Sequence, residues 1–231
     1  MNAEKLSNRL ERVAAFIPHG ARLADIGSDH AYLPCNVIKK GIVNFAIAGE
    51  VVPGPYQSAK QQVELLQLAE FVHVRLGSGL EVIEKGEVNA ITIAGMGGTL
   101  ITSILEEGKS KLTGEERLIL QPNISAISIR KWLVANDWAL VAEEIIEEDG
   151  KIYEVLVAER GKSQRYSEAE LLLGPFLMAH KNEVFRKKWT FELTQWKQIL
   201  ANMMSAVDTD ALQNKKTEIL KKIAIVEEEL N

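Results

Sequence analysis

Apolar positions step by three and four through Leu6, Leu10, Val13 and Ile17, which predicts an amphipathic helix closed by Pro18 and Gly20. The period then changes. Arg22 to Ile26 reads as a strand, and β-rich runs recur at Phe45 to Val51, Val72 to Leu76, Ala90 to Ala94 and Leu118 to Gln121. Helical stretches lie between them, clearest at Pro53 to Leu68, with a short turn near Leu80 to Ile83 and helices over Thr99 to Glu106 and Ser125 to Ala135. Short strands alternating with helices predict an α/β fold, its parallel sheet assembled from crossover units.

Trp138 to Glu148 and Lys151 to Ala158 are two β-rich stretches separated only by Asp149 and Gly150, a dipeptide suited to a tight hairpin. The last two strands are therefore antiparallel. Together with the five earlier ones they predict a seven-stranded, mostly parallel, Rossmann-like sheet with one reversed strand. Beyond about Gly161 the strand signals cease. Phe185, Trp189, Leu193, Trp196, Leu200, Met203 and Val207 step by three and four, as do Leu212, Ile219, Ile223, Val226 and Leu230 after a gap. Asp208, Thr209 and Asp210 form the turn between these runs and supply an N-cap for the second. The expected organisation is a ligand-binding domain over 1–160 and a helical, coiled-coil-like hairpin over 161–231.

Composition narrows the class. At 46% hydrophobic and 26% charged, the 231 residues have ordinary globular usage, and a chain of this length supports one or two domains with a substantial core. The single cysteine, Cys35, permits no intrachain disulfide, and the polar N-terminus carries no signal-peptide pattern, so a cytoplasmic protein is expected. No apolar run approaches the roughly 18 residues of a membrane span. Four histidines and one cysteine are scattered, so no metal site is expected. The net charge of −5 gives no whole-chain signature of nucleic-acid binding. Locally, Lys181, Arg186, Lys187, Lys188 and Lys197 face only Glu183 and Glu192, which is either a solvated helix face or a strip for phosphates.

Candidate chemistry gathers at strand ends, where open α/β sheets bind ligands. Asp25-Ile26-Gly27-Ser28-Asp29-His30-Ala31-Tyr32-Leu33-Pro34 follows strand one and opens a helix. It lacks the second and third glycines of a dinucleotide fingerprint, which disfavours a nicotinamide dehydrogenase. One turn glycine and two carboxylates remain. Such a lip repels pyrophosphate and suits a cationic ligand rich in hydroxyls and amines, as S-adenosyl-L-methionine is. Glu50 lies 25 positions after Asp25, where an acidic residue accepts hydrogen bonds from a ribose diol. Gly77-Ser78-Gly79-Leu80 offers a tight turn that can approach an adenine ring. Ala94-Gly95-Met96-Gly97-Gly98 brings side-chain-poor backbone to the cofactor and its acceptor, and Gln121-Pro122-Asn123 adds two amides to the same rim.

These motifs, in this order, resemble the bacterial tRNA (adenine-22, N1)-methyltransferase family. Glu148 to Glu154, Leu173-Gly174-Pro175 and the helical C-terminal hairpin also resemble it, so the likeness spans essentially the whole chain. Cys35 departs from the aliphatic residue expected there. The resemblance implies a class I methyltransferase fold that holds S-adenosyl-L-methionine with Asp25, Gly27, Asp29, Glu50, Ser78, Gly79, Ala94, Gly95 and Met96. It implies tRNA as partner, with N1 of an adenine in the D arm as acceptor. Asp29 is the first candidate for chemistry, with His30 and Asn123 orienting the base and Tyr32 stacking on it once extruded. Arg130, Lys131, Lys187 and Lys188 are candidates for holding the RNA body. As neighbours in the chain, Asp29 and His30 are expected to point apart, and Trp189 and Trp196, seven apart, to lie in a helix seam.

Two alternatives remain at this level: a non-catalytic module that binds the cofactor or RNA without turnover, and a methyltransferase with another RNA acceptor. An N6-adenine methylase is disfavoured, because its Asn/Asp-Pro-Pro-aromatic motif is replaced by Ala-Gly-Met-Gly-Gly. A monomer is expected, since the hairpin can satisfy its own seam.

Overall fold

The computed structural model describes residues 3–162, 164–203 and 209–231. They form two compact units, Met1–Arg165 and Tyr166–Asn231, so the division falls a few residues beyond the boundary read from the strand signals.

In the first unit the elements run α1 (Asn8–Ala15), β1 (Arg22–Ile26), α2 (Tyr32–Lys39), β2 (Phe45–Glu50), α3 (Pro53–Leu65) and β3 (Val72–Leu76). They continue with β4 (Ala90–Gly97), α4 (Gly98–Glu107), β5 (Arg117–Ile124), α5 (Ala126–Ala135), β6 (Trp138–Glu148) and β7 (Lys151–Arg160). The sheet order is β3-β2-β1-β4-β5-β7-β6. β1 pairs in parallel with both β2 and β4, whereas β7 is antiparallel to β5 and β6. The strand order reverses between β1 and β4, which opens a crevice at their carboxyl ends.

Burial follows from the layers. Leu23, Ala24, Ala46, Ile47, Ala48, Ile91, Ile93, Leu118, Ile119 and Leu120 have essentially no exposed surface, because helices on both faces leave parallel strands no polar side. The hairpin turn places Asp149 at φ 51° and Gly150 at φ 72°, the left-handed pair that a two-residue connection needs to follow strand twist. The hairpin also secures α1. Glu148 at its tip accepts hydrogen bonds from the Asn8 and Arg9 amides at 2.5 and 3.2 Å, placing a carboxylate on the helix N-terminus that Ser7 caps.

The second unit comprises α6 (Glu168–Leu173), α7 (Pro175–His180), α8 (Glu183–Met203) and α9 (Asp210–Leu230). Thr209 caps α9 by accepting from the Leu212 amide; Val207 and Asp208 of the expected seam and turn lie outside the described residues. α8 and α9 pack together. Burial within α8 is confined to Phe185 and Trp189, with Phe191 and Ile199 exposed, while α9 buries Ile219, Ile223 and Val226. Trp189 and Trp196 lie 6.2 Å apart between ring centroids, Trp189 buried.

Candidate active site

The loop after β1 is built on left-handed backbone. Gly27 lies at φ 69°, and Asp29, His30 and Ala31 follow at 43°, 66° and 55°. Three consecutive non-glycine residues in this region cost about 1–2 kcal/mol each, so the surroundings must hold them. The Gly49 carbonyl accepts from the Gly27 and Ser28 amides at 2.9 and 3.2 Å, and Glu50 Oε1 accepts from the Asp29 amide at 2.5 Å. The end of β2 thus clamps the loop after β1. A side chain at Gly27 would begin 2.2 Å from Met96 Cε, so the glycine admits both the turn and the thioether that closes over it from β4.

Asp25 is 4% exposed, and its carboxylate accepts from Ser28 Oγ and Thr92 Oγ1, each at 2.6 Å. Burial raises its pKa above the usual carboxylate range, against these two hydrogen bonds and the positive charge of Arg9. Glu50 is 6% exposed. Burial raises its pKa too; the Asp29 amide and His30 oppose the shift, while Asp25 and Asp29 add to it. Asp29 itself is open, its side chain 75% exposed. Its carboxylate does not point away from His30 as chain adjacency suggests: Asp29 Oδ1 lies 3.5 Å from His30 Nε2. The His30 ring stacks on Tyr32 at 5.3 Å and 16°, forming a flat aromatic pair beside the carboxylate. The left-handed backbone reaims consecutive side chains, which is why the adjacency rule fails here.

On one side of this centre, the Glu50 carbonyl accepts from the Gly77 amide at 2.8 Å, which brings Ser78 and Gly79 to the rim. Ser78 opens a short 3₁₀ turn through a reciprocal cap with Glu81, and Gly79, at φ 53°, packs under Ile104. On the other side lie Ala94, Gly95 and Met96 of β4 and Asn123 of β5. Asn123 Nδ2 donates to the Gly95 carbonyl at 2.7 Å, and the Gly95 amide donates to Gln121 Oε1 at 3.0 Å. Gly98 packs so closely on the Ser125 carbonyl that any side chain there would overlap it, locking the β4 end against the β5 end.

Arg9 of α1 is a site residue that the sequence reading did not select. Its Nη1 donates to Gln121 Oε1 at 2.5 Å, and its guanidinium lies 5.5 Å over the Tyr153 ring. A charged residue on an amphipathic helix carries no mark of this role, because its partner is 112 positions away.

Asp25, Gly27, Asp29, His30, Tyr32, Glu50, Ser78, Gly79, Ala94, Gly95, Met96 and Asn123 therefore gather at one crevice. The RNA-facing candidates divide. Arg130 is corrected: its side chain is fully buried between Glu143 and Glu154, at 2.6 and 2.5 Å, and presents nothing to a phosphate. Lys131, one residue on, is exposed. Lys187 and Lys188 lie on α8 in the second unit, with Lys188 Nζ 4.9 Å over the Trp189 ring. Lys181 and Lys197 of the same cluster pair with Glu229 and Glu227 of α9, so the acidic partners of that strip come from the other helix. Among the described residues no group of three or more His, Cys, Asp or Glu could hold a metal ion, and no helix is long and apolar enough to cross a membrane.

A reversed-order parallel sheet with an antiparallel terminal hairpin, and an acid-lined crevice without a pyrophosphate loop, define a Rossmann-like methyltransferase class. Residues 23–228 match the family model described as tRNA (adenine(22)-N(1))-methyltransferase, and the chain belongs to that family. It is 54% identical to the Bacillus subtilis tRNA (adenine(22)-N(1))-methyltransferase over 99% of this chain and 98% of that one. The crystal structure of the B. subtilis enzyme superposes with a TM-score of 0.93 at 51% identity, covering 99% of this chain and 100% of that one. A Streptococcus pneumoniae protein in complex with S-adenosyl-L-methionine is similar at TM-score 0.89 and 44% identity, covering 98% and 100%.

Proposed function

We propose that this protein transfers the methyl group of S-adenosyl-L-methionine to N1 of adenine 22 in tRNA. The observation that carries this reading is the crevice of Asp25, Asp29 and Glu50 at the β1/β4 switch point, within a chain of this family. Its donor set fits the cofactor: buried carboxylates accept from ribose hydroxyls and an ammonium group, and would repel phosphates. Glu50 would take the diol, Asp25 and the Gly27 turn the amino-acid end, and Ser78 with Gly79 the adenine. The bound cofactor supplies a methyl group on a sulfonium, and the protein's part is orientation and charge.

Adenine N1 carries a lone pair at neutral pH, so attack needs no strong general base. Positive charge passes to the base as the methyl group is transferred. The exposed Asp29 carboxylate at the crevice mouth stabilises that charge and accepts a hydrogen bond from the exocyclic amine. The His30–Tyr32 pair provides the stacking surface for an extruded base. Lys131, Arg186, Lys187 and Lys188 hold phosphates of the RNA body.

Incubation with radiolabelled methyl donor and unmodified bulk bacterial tRNA, followed by digestion to nucleosides, tests the reading. Label is expected in 1-methyladenosine, and Asp29→Ala is expected to lose turnover by orders of magnitude while retaining its fold. Donor binding without label would identify a non-catalytic module, and label in another nucleoside would identify another acceptor.

A further inference from the structure

Two side-chain amides stand on the acceptor side of the crevice, Gln121 and Asn123. An amide fits its cavity either way round, and the two orientations differ only in what is donated and what is accepted. Here the neighbours decide. A guanidinium has donors and no acceptor, so Arg9 Nη1, at 2.5 Å, requires the Gln121 oxygen to face it. The Gly95 amide donates to that same oxygen at 3.0 Å. Gln121 Nε2 is thereby turned away, donating to the Pro122 carbonyl at 2.8 Å and lying 3.5 Å from Asn123 Oδ1. Asn123 Nδ2 donates to the Gly95 carbonyl at 2.7 Å. Reversing Asn123 would set its oxygen against that carbonyl and its NH2 against the Gln121 NH2. Gln121 has no exposed surface, so its polarity cannot be rescued by solvent, whereas Asn123 is exposed at the rim and its oxygen retains acceptor capacity.

We propose that this relay, running from Arg9 through Gln121, presents the Asn123 carbonyl oxygen to the target base as an acceptor, and that Arg9 is a positioning residue for base choice. The proposal rests on the methyl-transfer reading above and specifies what that site accepts. An acceptor beside the reacting ring nitrogen selects a base whose neighbouring substituent is an amine. Adenine has that pattern at N1, and its amine has two hydrogens, one for Asn123 and one for Asp29. Uracil at N3 is flanked by two carbonyls, which an acceptor oxygen repels. Guanine at N1 has an amine on one side, and what excludes it is a protonated ring nitrogen without a lone pair for attack rather than this contact. Cytosine at N3 shares adenine's pattern and passes this filter.

The test compares tRNA transcripts bearing adenosine or purine riboside, which lacks the amine, at the target position. kcat/KM is measured for the wild-type protein, Asn123→Ala, Arg9→Met and Arg9→Lys, with cofactor affinity by calorimetry. Purine riboside differs from adenosine in intrinsic reactivity, but every variant shares that difference, so the change in preference isolates the contact. Asn123→Ala and Arg9→Met are each expected to lose about 10- to 100-fold on adenosine and little on purine riboside. Arg9→Lys, still a donor without an acceptor, is expected to keep the wild-type preference. Equal losses on both substrates for Asn123→Ala would overturn the proposal. An intact preference with weakened cofactor binding in Arg9→Met would assign Arg9 to the donor's carboxylate and remove it from the relay. Wild-type protein that transfers no methyl group to either transcript would overturn the underlying reading together with the proposal.

Discussion

Glu50 shows how a residue's place in the crevice sets its chemistry. Burial raises its pKa, so its protonated form persists to higher pH than that of an exposed glutamate. A ribose diol donates to the ionised carboxylate. If Glu50 takes the ribose diol as proposed, cofactor binding should be complete above the raised pKa and be lost as pH falls through it, before an exposed carboxylate would titrate. Calorimetric affinities across the mildly acidic range should show this loss. Glu50→Gln should weaken binding about tenfold at neutral pH and flatten the pH dependence. An unchanged slope in that variant would assign the titration to Asp25, which burial also shifts upward. Asp25 and Glu50 were legible from strand-end positions and their spacing. The His30–Tyr32 stack was not, because it depends on consecutive left-handed residues held in part by the clamp from β2.

At the scale of elements, the β6–β7 hairpin does more than end the sheet. Its Glu143 and Glu154 enclose Arg130 of α5, joining a helix to two strands with side chains that are 0–2% exposed. Removing the cation would leave two buried carboxylates without it, a loss of about 3–5 kcal/mol. Urea unfolding of Arg130→Ala should give that loss. The triple variant Arg130→Met, Glu143→Gln, Glu154→Gln should recover much of it with tRNA affinity unchanged. A triple variant that is stable yet loses tRNA affinity would return Arg130 to the RNA contacts. On the sequence, Arg130 and Lys131 are indistinguishable basic neighbours on one helix; the difference between them is made by acids 13 and 24 positions away.

For the whole molecule, the sheet unit carries the crevice, and the helical unit carries a basic cluster partly neutralised by its last helix, α9. If Lys187 and Lys188 contact phosphates, charge reversal at both should lower tRNA affinity and reduce the slope of log affinity against log salt by about two. Filter binding over a salt series would measure it, with circular dichroism as the folding control. An unchanged slope would leave those lysines as a solvated face. By itself the sequence determined the order and kind of the elements in the sheet unit, the Asp149-Gly150 reversal, and the carboxylates at the ends of β1 and β2; in the second unit it marked the long helices α8 and α9 but not α6 and α7. What it determined depends on hydrophobic period, turn residues and spacing along the chain. Only the tertiary structure decided that β7 lies between β5 and β6, that Arg130 is enclosed, that Lys181 and Lys197 are paired, and that Arg9 meets Gln121. Each of these is a contact between residues distant in the chain, for which neither partner's local sequence specifies the other.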